Sequence, residues 1–149
     1  MKRTECVELG TICLIYKNDM FLLQDRVKED WRGFTLPGGH VEPNESIVDA
    51  VIREMKEETG LTVFNPKLCG VKQFPIQDGR YLVFLFKTNE FEGEVVSSAE
   101  GQMHWVARKD LHAYPLVDDF DELIEVMTND ALNEFQYIRN GNEWKVLLK

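Results

Sequence analysis

The segment from Gly39 to Leu61, GHVEPNESIVDAVIREMKEETGL, constrains the fold more than any other stretch of the chain. It predicts a helix from about Ile47 to Thr59 with both ends marked. Ser46 followed three residues later by Asp49 resembles a capping box, and Gly60 stands where a helix-ending glycine belongs. At about 100° per residue, Ile47, Val48, Val51, Ile52 and Met55 form one apolar stripe that another layer must cover, while Glu54, Glu57 and Glu58 gather on the adjoining arc. Each like-charged i,i+3 or i,i+4 pair costs an isolated helix roughly a few tenths of a kcal/mol. Two of the three glutamates also lie in the last turn, where the helix dipole disfavours anions. Selection for stability alone would avoid this placement.

A binding role explains it. Hard divalent cations such as Mg²⁺ take carboxylate oxygens, usually only a few, and keep their other positions for water and substrate phosphate. Gly38-Gly39 permits close backbone approach, so a peptide carbonyl can add to such a set. Arg53, four residues before Glu57, can orient a carboxylate through a charge-assisted hydrogen bond.

Around this helix the chain alternates strand-like and polar stretches. Residues 8–16 and 20–25 are apolar and β-branched with Lys17-Asn18-Asp19 between them, which predicts a β-hairpin. A loop carrying Trp31, Gly33 and Phe34 leads into Leu36-Pro37-Gly38-Gly39. Strands are expected at 67–74, 80–88 and 103–107, and a second helix at 118–129, where Phe120, Leu123, Ile124 and Met127 fall at helical spacing. The tail from Phe135 to Leu148 predicts another hairpin, turning at Asn140-Gly141. With 149 residues, 44% of them hydrophobic, and no repeat or linker, one domain over 1–149 is expected.

Charge and hydropathy exclude several partners. Seventeen Lys and Arg against 26 Asp and Glu give a net charge of −9, so no broad basic surface exists for long nucleic acid or anionic lipid. The longest apolar run, Tyr81 to Phe86, is far short of the roughly 20 residues that span a bilayer. Met1-Lys2-Arg3 is followed by Thr4-Glu5 rather than an apolar stretch, so the chain is expected to start without a secretory leader. Cys6, Cys13 and Cys69 show neither disulfide nor zinc spacing, which predicts buried free thiols and a cytoplasmic location.

The Gly39–Leu61 segment resembles the signature of the Nudix hydrolase family, Gly-x5-Glu-x7-Arg-Glu-U-x-Glu-Glu-x-Gly-U with U a bulky aliphatic. Here Gly39, Glu45, Arg53, Glu54, Met55, Glu57, Glu58, Gly60 and Leu61 fill every fixed position. Seven specified glycine or charged positions at background frequencies coincide by chance about once in 10⁸ windows. The resemblance implies an α/β Nudix fold, a mixed β-sheet sandwiched between helices. It implies cleavage of a nucleoside diphosphate linked to another moiety, with Mg²⁺ or Mn²⁺ as cofactor. By match to the motif, Glu54, Glu57 and Glu58 are the metal ligands, the Gly39 carbonyl an addition, and Arg53 an orienting residue. Glu45 belongs to the start of the helix, and Glu57 and Glu100 are the two candidates for general base.

Residues outside the motif bear on the substrate. Pro75 lies 14 residues beyond Leu61, just short of the spacing found in many ADP-ribose pyrophosphatases. Leu116-Val117-Asp118-Asp119-Phe120, followed by Phe135 to Tyr137 and a hairpin, is similar to the MutT-type group that removes oxidised purine nucleoside triphosphates. Asp118 and Asp119 are expected to accept hydrogen bonds from a purine edge, with helix N-terminal dipole complementarity as the rival role. Arg26 is expected to contact phosphate, and Trp31 or Phe34 to stack on a base. The favoured reaction converts a purine nucleoside triphosphate, 8-oxo-dGTP included, to the monophosphate and pyrophosphate. ADP-ribose or nucleotide-sugar cleavage is the alternative within the family, and a non-catalytic nucleotide-binding domain the alternative outside enzymes. The partner is thus a small nucleotide, and homodimer formation stays open.

Overall fold

The computed structural model describes residues 1–28 and 31–149. Strands β1 (Cys6–Lys17) and β2 (Met20–Arg26) form the expected hairpin, with Asn18 at φ 53° in its turn. They are followed by β3 (Gly33–Thr35), β4 (Gly38–His40), α1 (Ile47–Thr59) and β5 (Thr62–Phe64). Next come β6 (Lys67–Ile76), β7 (Gly79–Thr88), β8 (Glu90–Glu92) and β9 (Gly101–Ala107). A 3-10 segment, Arg108–Ala113, then α2 (Phe120–Thr128), β10 (Glu134–Asn140) and β11 (Glu143–Leu148) complete the chain.

The main sheet runs β11-β10-β6-β7-β1-β2-β3, with β4 paired to β1 and β9 to β2. It is mixed: β1 runs parallel to β7 and β6 parallel to β10, and the other pairs are antiparallel. Such a sheet is covered on both faces, which is why its central strands read as unbroken apolar runs. Leu14 and Leu85 face α2 together with Phe120, Leu123 and Met127. Their neighbours Cys13, Ile15 and Phe86 face α1 with Val51 and Met55. One face carries each helix, and among the described residues no helix is long and apolar enough to cross a membrane.

Five expectations need correction. The stretch expected to be a loop forms two short strands, β3 and β4, each fixed by a ladder rather than by periodicity. On α1, Val48 is 44% exposed, and the buried face consists of Ala50, Val51, Glu54, Met55 and Thr59. Helix α2 starts two residues later than expected because Asp119 adopts φ 62°, in the left-handed region. In the last hairpin Asn140 pairs with Glu143, so the turn residues are Gly141 and Asn142; glycine at the first of them has φ 65°, the sign a II′ turn needs there. Of the cysteines, Cys13 is buried and Cys69 half-buried, but Cys6 is exposed. Burial pushes the Cys69 thiol up to about 11.

Candidate active site

Helix α1 begins and ends as its sequence dictates. The Ser46 hydroxyl accepts from the Asp49 N–H at 3.2 Å, and Gly60 closes the helix at φ 81°. The fixed frame lets Arg53 act as a bracket. Its guanidinium donates to both oxygens of Glu45 (2.8 and 2.9 Å), to the His40 carbonyl (2.9 Å), to Glu54 (3.0 Å) and to Glu57 (3.2 Å). One side chain thus ties the β4 strand end, the approach to α1 and two glutamates of α1. The Arg53 hydrogen bond, reinforced by the Glu42 backbone, lowers the Glu45 carboxyl to about 2.

Glu54 is only 8% exposed. Burial pushes its pKa above the ordinary carboxylate value, Arg53 opposes this, and the charges of Glu57 and Glu58 add to the rise. Its carboxylate rests against Gly39, where a Cβ would stand 2.1 Å from it. Glu58 is held from the other side: Gln24 Nε2 donates at 3.1 Å and the Ser98 hydroxyl at 2.9 Å to the same oxygen. Among the described residues no three His, Cys, Asp or Glu side chains converge as a metal-binding group. Arg53 engages Glu54 and Glu57, while Gln24 and Ser98 engage Glu58. The donor set still fits a hard divalent ion: three carboxylates line one cleft with Gly39, and the buried Glu54 carries charge that a cation would relieve.

That cleft, about 510 Å³, has a cationic wall. Arg26 and Lys28 line it with Gln24, Trp31 and Glu100. Arg26 lays its guanidinium over the Trp31 ring at 4.4 Å and donates to the Trp31 carbonyl at 3.3 Å. Lys28 pairs with Glu100 at 3.0 Å. Glu100 therefore shares the cleft with the α1 glutamates although some forty positions separate them in sequence.

A second cavity of about 460 Å³ adjoins the first, and Ile12, Trp31, Thr35, Lys72 and Phe74 line both. Its remaining wall includes Asp118, Asp119, Phe120, Tyr137 and Trp144. The Asp pair arrives there because residues 115–117 are tied to β3, the Phe34 N–H donating to the Pro115 carbonyl and the Val117 N–H to the Phe34 carbonyl. Asp119 occupies the cap position of α2, yet its side chain makes no capping bond. Instead the Tyr137 hydroxyl donates to it at 2.6 Å. Burial and then that bond to Asp119 push the Tyr137 phenol well above its usual range.

Of the residues singled out by sequence, Gly39, Glu54, Glu57, Glu58, Arg26, Trp31 and Glu100 line the first cleft, and Asp118, Asp119 and Trp31 line the second. Phe34 lines neither. It is 8% exposed and packs against His104 and Tyr114, on the core side of β3, so the expectation that it stacks on a base is not met by its placement. Gln24, Lys28, Lys72, Phe74 and Ser98 were not legible as site residues, and Tyr137 entered only within the Phe135 to Tyr137 segment. Alternation along β6, with Lys72 and Phe74 sharing a face, was the one available signal.

A NUDIX domain model matches residues 8–127. An uncharacterized Nudix hydrolase, YvcI of Bacillus subtilis, is 35% identical over 123 residues, covering 78% of this chain and 77% of that protein. The 8-oxo-dGDP phosphatase NUDT18 of Danio rerio is 29% identical over 73% of this chain and 34% of its own length. The ADP-ribose pyrophosphatase of Methanocaldococcus jannaschii is 39% identical over 55% of this chain and 50% of its own length. This chain thus spans about a third and a half of those last two relatives. The crystal structure of a MutT protein from Bacillus halodurans superposes with a TM-score of 0.75 at 30% identity, covering 93% of this chain and 97% of that one. With the motif, the sheet between helices and the clustered glutamates all agreeing with these likenesses, the chain belongs to the Nudix hydrolase family as a MutT-like member.

Proposed function

We propose that the chain is a Mg²⁺- or Mn²⁺-dependent pyrophosphohydrolase that converts a purine nucleoside triphosphate, oxidised forms such as 8-oxo-dGTP included, to the monophosphate and pyrophosphate. The observation that carries this reading is the continuity of the two cavities. A cleft lined by glutamates and by Arg26 and Lys28 shares part of its lining with an aromatic cavity edged by two aspartates. A triphosphate spans the first while its base enters the second.

Glu54, Glu57 and Glu58, with the Gly39 carbonyl, would hold the cation, which when bound screens phosphate charge and acidifies water. Arg26 and Lys28 bind phosphate oxygens. Glu57 and Glu100 both face the reacting region and can accept the proton of an attacking water. Arg53 keeps Glu54 and Glu57 oriented. In the second cavity Trp31 and Phe74 offer ring faces, and Asp118 and Asp119 accept hydrogen bonds from the N–H groups of a purine. The relative that is an 8-oxo-dGDP phosphatase supports an oxidised guanine base, though on a diphosphate, and the ADP-ribose pyrophosphatase relative supports the rival. The acidic pair beside aromatic rings supports a purine base, which ADP-ribose also carries as adenine.

The test is product release across 8-oxo-dGTP, dGTP, dCTP and ADP-ribose with Mg²⁺. Glu57→Gln is expected to lower kcat at least about 10²-fold without unfolding the protein, and EDTA to abolish turnover. Asp119→Ala is expected to narrow the purine advantage over dCTP, since a base edge then loses its acceptor. Metal-independent turnover would overturn the reading of the glutamates. A clear preference for ADP-ribose would overturn the substrate.

A further inference from the structure

Lys72 sits where stability alone would not put a lysine. It lies in the middle of the sheet, opposite Phe135 of β10 and Val83 of β7, on the apolar face that α2 covers. Its ammonium is surrounded by rings, 5.2 Å from the centroid of Phe135, 5.4 Å from Tyr137 and 5.9 Å from Phe74. Among the described residues it makes no ion pair and no hydrogen bond. Burial holds its pKa below the ordinary lysine value, and the charge of Asp119 opposes that shift. Ring faces partly compensate a desolvated ammonium, but an apolar side chain at this position would pack without any desolvation loss.

Lys72 lines both cavities, and the second of them also has the acidic pair in its wall. One small cavity therefore presents acceptors, Asp118 and Asp119, and a strong donor, Lys72. The Watson–Crick edge of a guanine-type base carries the complementary order, donors at the 2-amino group and N1–H and an acceptor at O6. Adenine carries the opposite groups at positions 1 and 6. A lysine donating to the guanine carbonyl is a common specific contact for the same reason. We propose that Lys72 is a specificity-determining residue that donates a hydrogen bond to the 6-oxo group of the bound base, so that the site prefers 6-oxopurine over 6-aminopurine nucleotides. This rests on the assignment of the second cavity to a purine base.

Nucleoside monophosphates, titrated calorimetrically without metal, test the contact independently of hydrolysis. Wild type is expected to bind GMP and IMP at least tenfold more tightly than AMP and than 2-aminopurine riboside monophosphate, which lacks both O6 and N1–H. Lys72→Met is expected to reduce the GMP-to-AMP ratio at least tenfold, with a thermal midpoint no lower than wild type because a buried charge has been removed. Lys72→Arg, which keeps a donor, is expected to retain most of the ratio. Equal binding of GMP and the 2-aminopurine nucleotide by wild type would overturn the proposal, whatever the variants do. A uniform loss over all bases in Lys72→Met, the mark of a phosphate contact, or an unchanged ratio, the mark of a mere packing residue, would overturn it as well. A protein that shows the GMP preference yet hydrolyses no triphosphate would refute the proposed reaction and leave the Lys72 contact standing. Triphosphate hydrolysis without the GMP preference would do the reverse.

Discussion

Gly39 shows how little room the glutamate cluster leaves. A Cβ there would meet the Glu54 carboxylate at 2.1 Å, and that group is the far end of a flexible side chain, so the carboxylate rather than the backbone must give way. Gly39→Ala is therefore expected to lower kcat at least about tenfold, as displaced catalytic groups do, while moving the thermal midpoint by less than roughly 5 °C. Steady-state kinetics and a melt on the same preparation check it; full activity would mean that Glu54 works from another rotamer. The glycine and the glutamates were legible because their chemistry is local to one segment. Lys72 was not. A lysine in an apolar strand reads as an outward-facing residue, and only the pairing of β6 with β10 and β7 shows that it points among rings.

At the scale of the element, α1 was the most readable part of the chain. Its cap, its closing glycine and its period are all encoded within 15 residues, and its observed bounds match the expected ones. The three-residue strands β3, β4, β5 and β8 carry no period of their own and exist only through their ladder partners, which no local pattern reveals. Val48 falls on the apolar stripe by period yet is exposed, and Glu54 instead belongs to the buried face of the helix, a choice made by the surrounding packing rather than by the period. The approach to α1 is fastened by Glu45 and Arg53, and this gives the helix a definite acid sensitivity. The Glu45 carboxyl is lowered from 4.5 to about 2. Its contribution is therefore complete above about pH 4.5 and is lost as pH falls toward 2, where the folded form too takes up the proton. The difference in thermal midpoint between wild type and Glu45→Gln is expected to be largest above pH 4.5 and to shrink steadily toward pH 2. A difference that is flat across that interval would show that Arg53 does not depend on this charge.

For the molecule as a whole, the clustered carboxylates of α1 couple folding to the proposed cofactor. A ligand bound only by the folded state at about a hundred times its Kd adds about 2.7 kcal/mol. That is worth roughly 5–10 °C in a chain of this size. Mg²⁺ or Mn²⁺ is expected to raise the thermal midpoint accordingly, and Glu57→Gln to lose most of the rise; a midpoint indifferent to both ions would count against the cluster as their site. The groups proposed for cleavage come from α1, β4, the end of β2 and the loop before β9, whereas those proposed to contact the base come from β6, Trp31 ahead of β3 and the residues leading into α2. The two sets meet only at their shared cavity wall. A lineage carrying this fold can therefore exchange one nucleotide for another by altering β6, Trp31 and the α2 approach, leaving the cleavage apparatus as inherited.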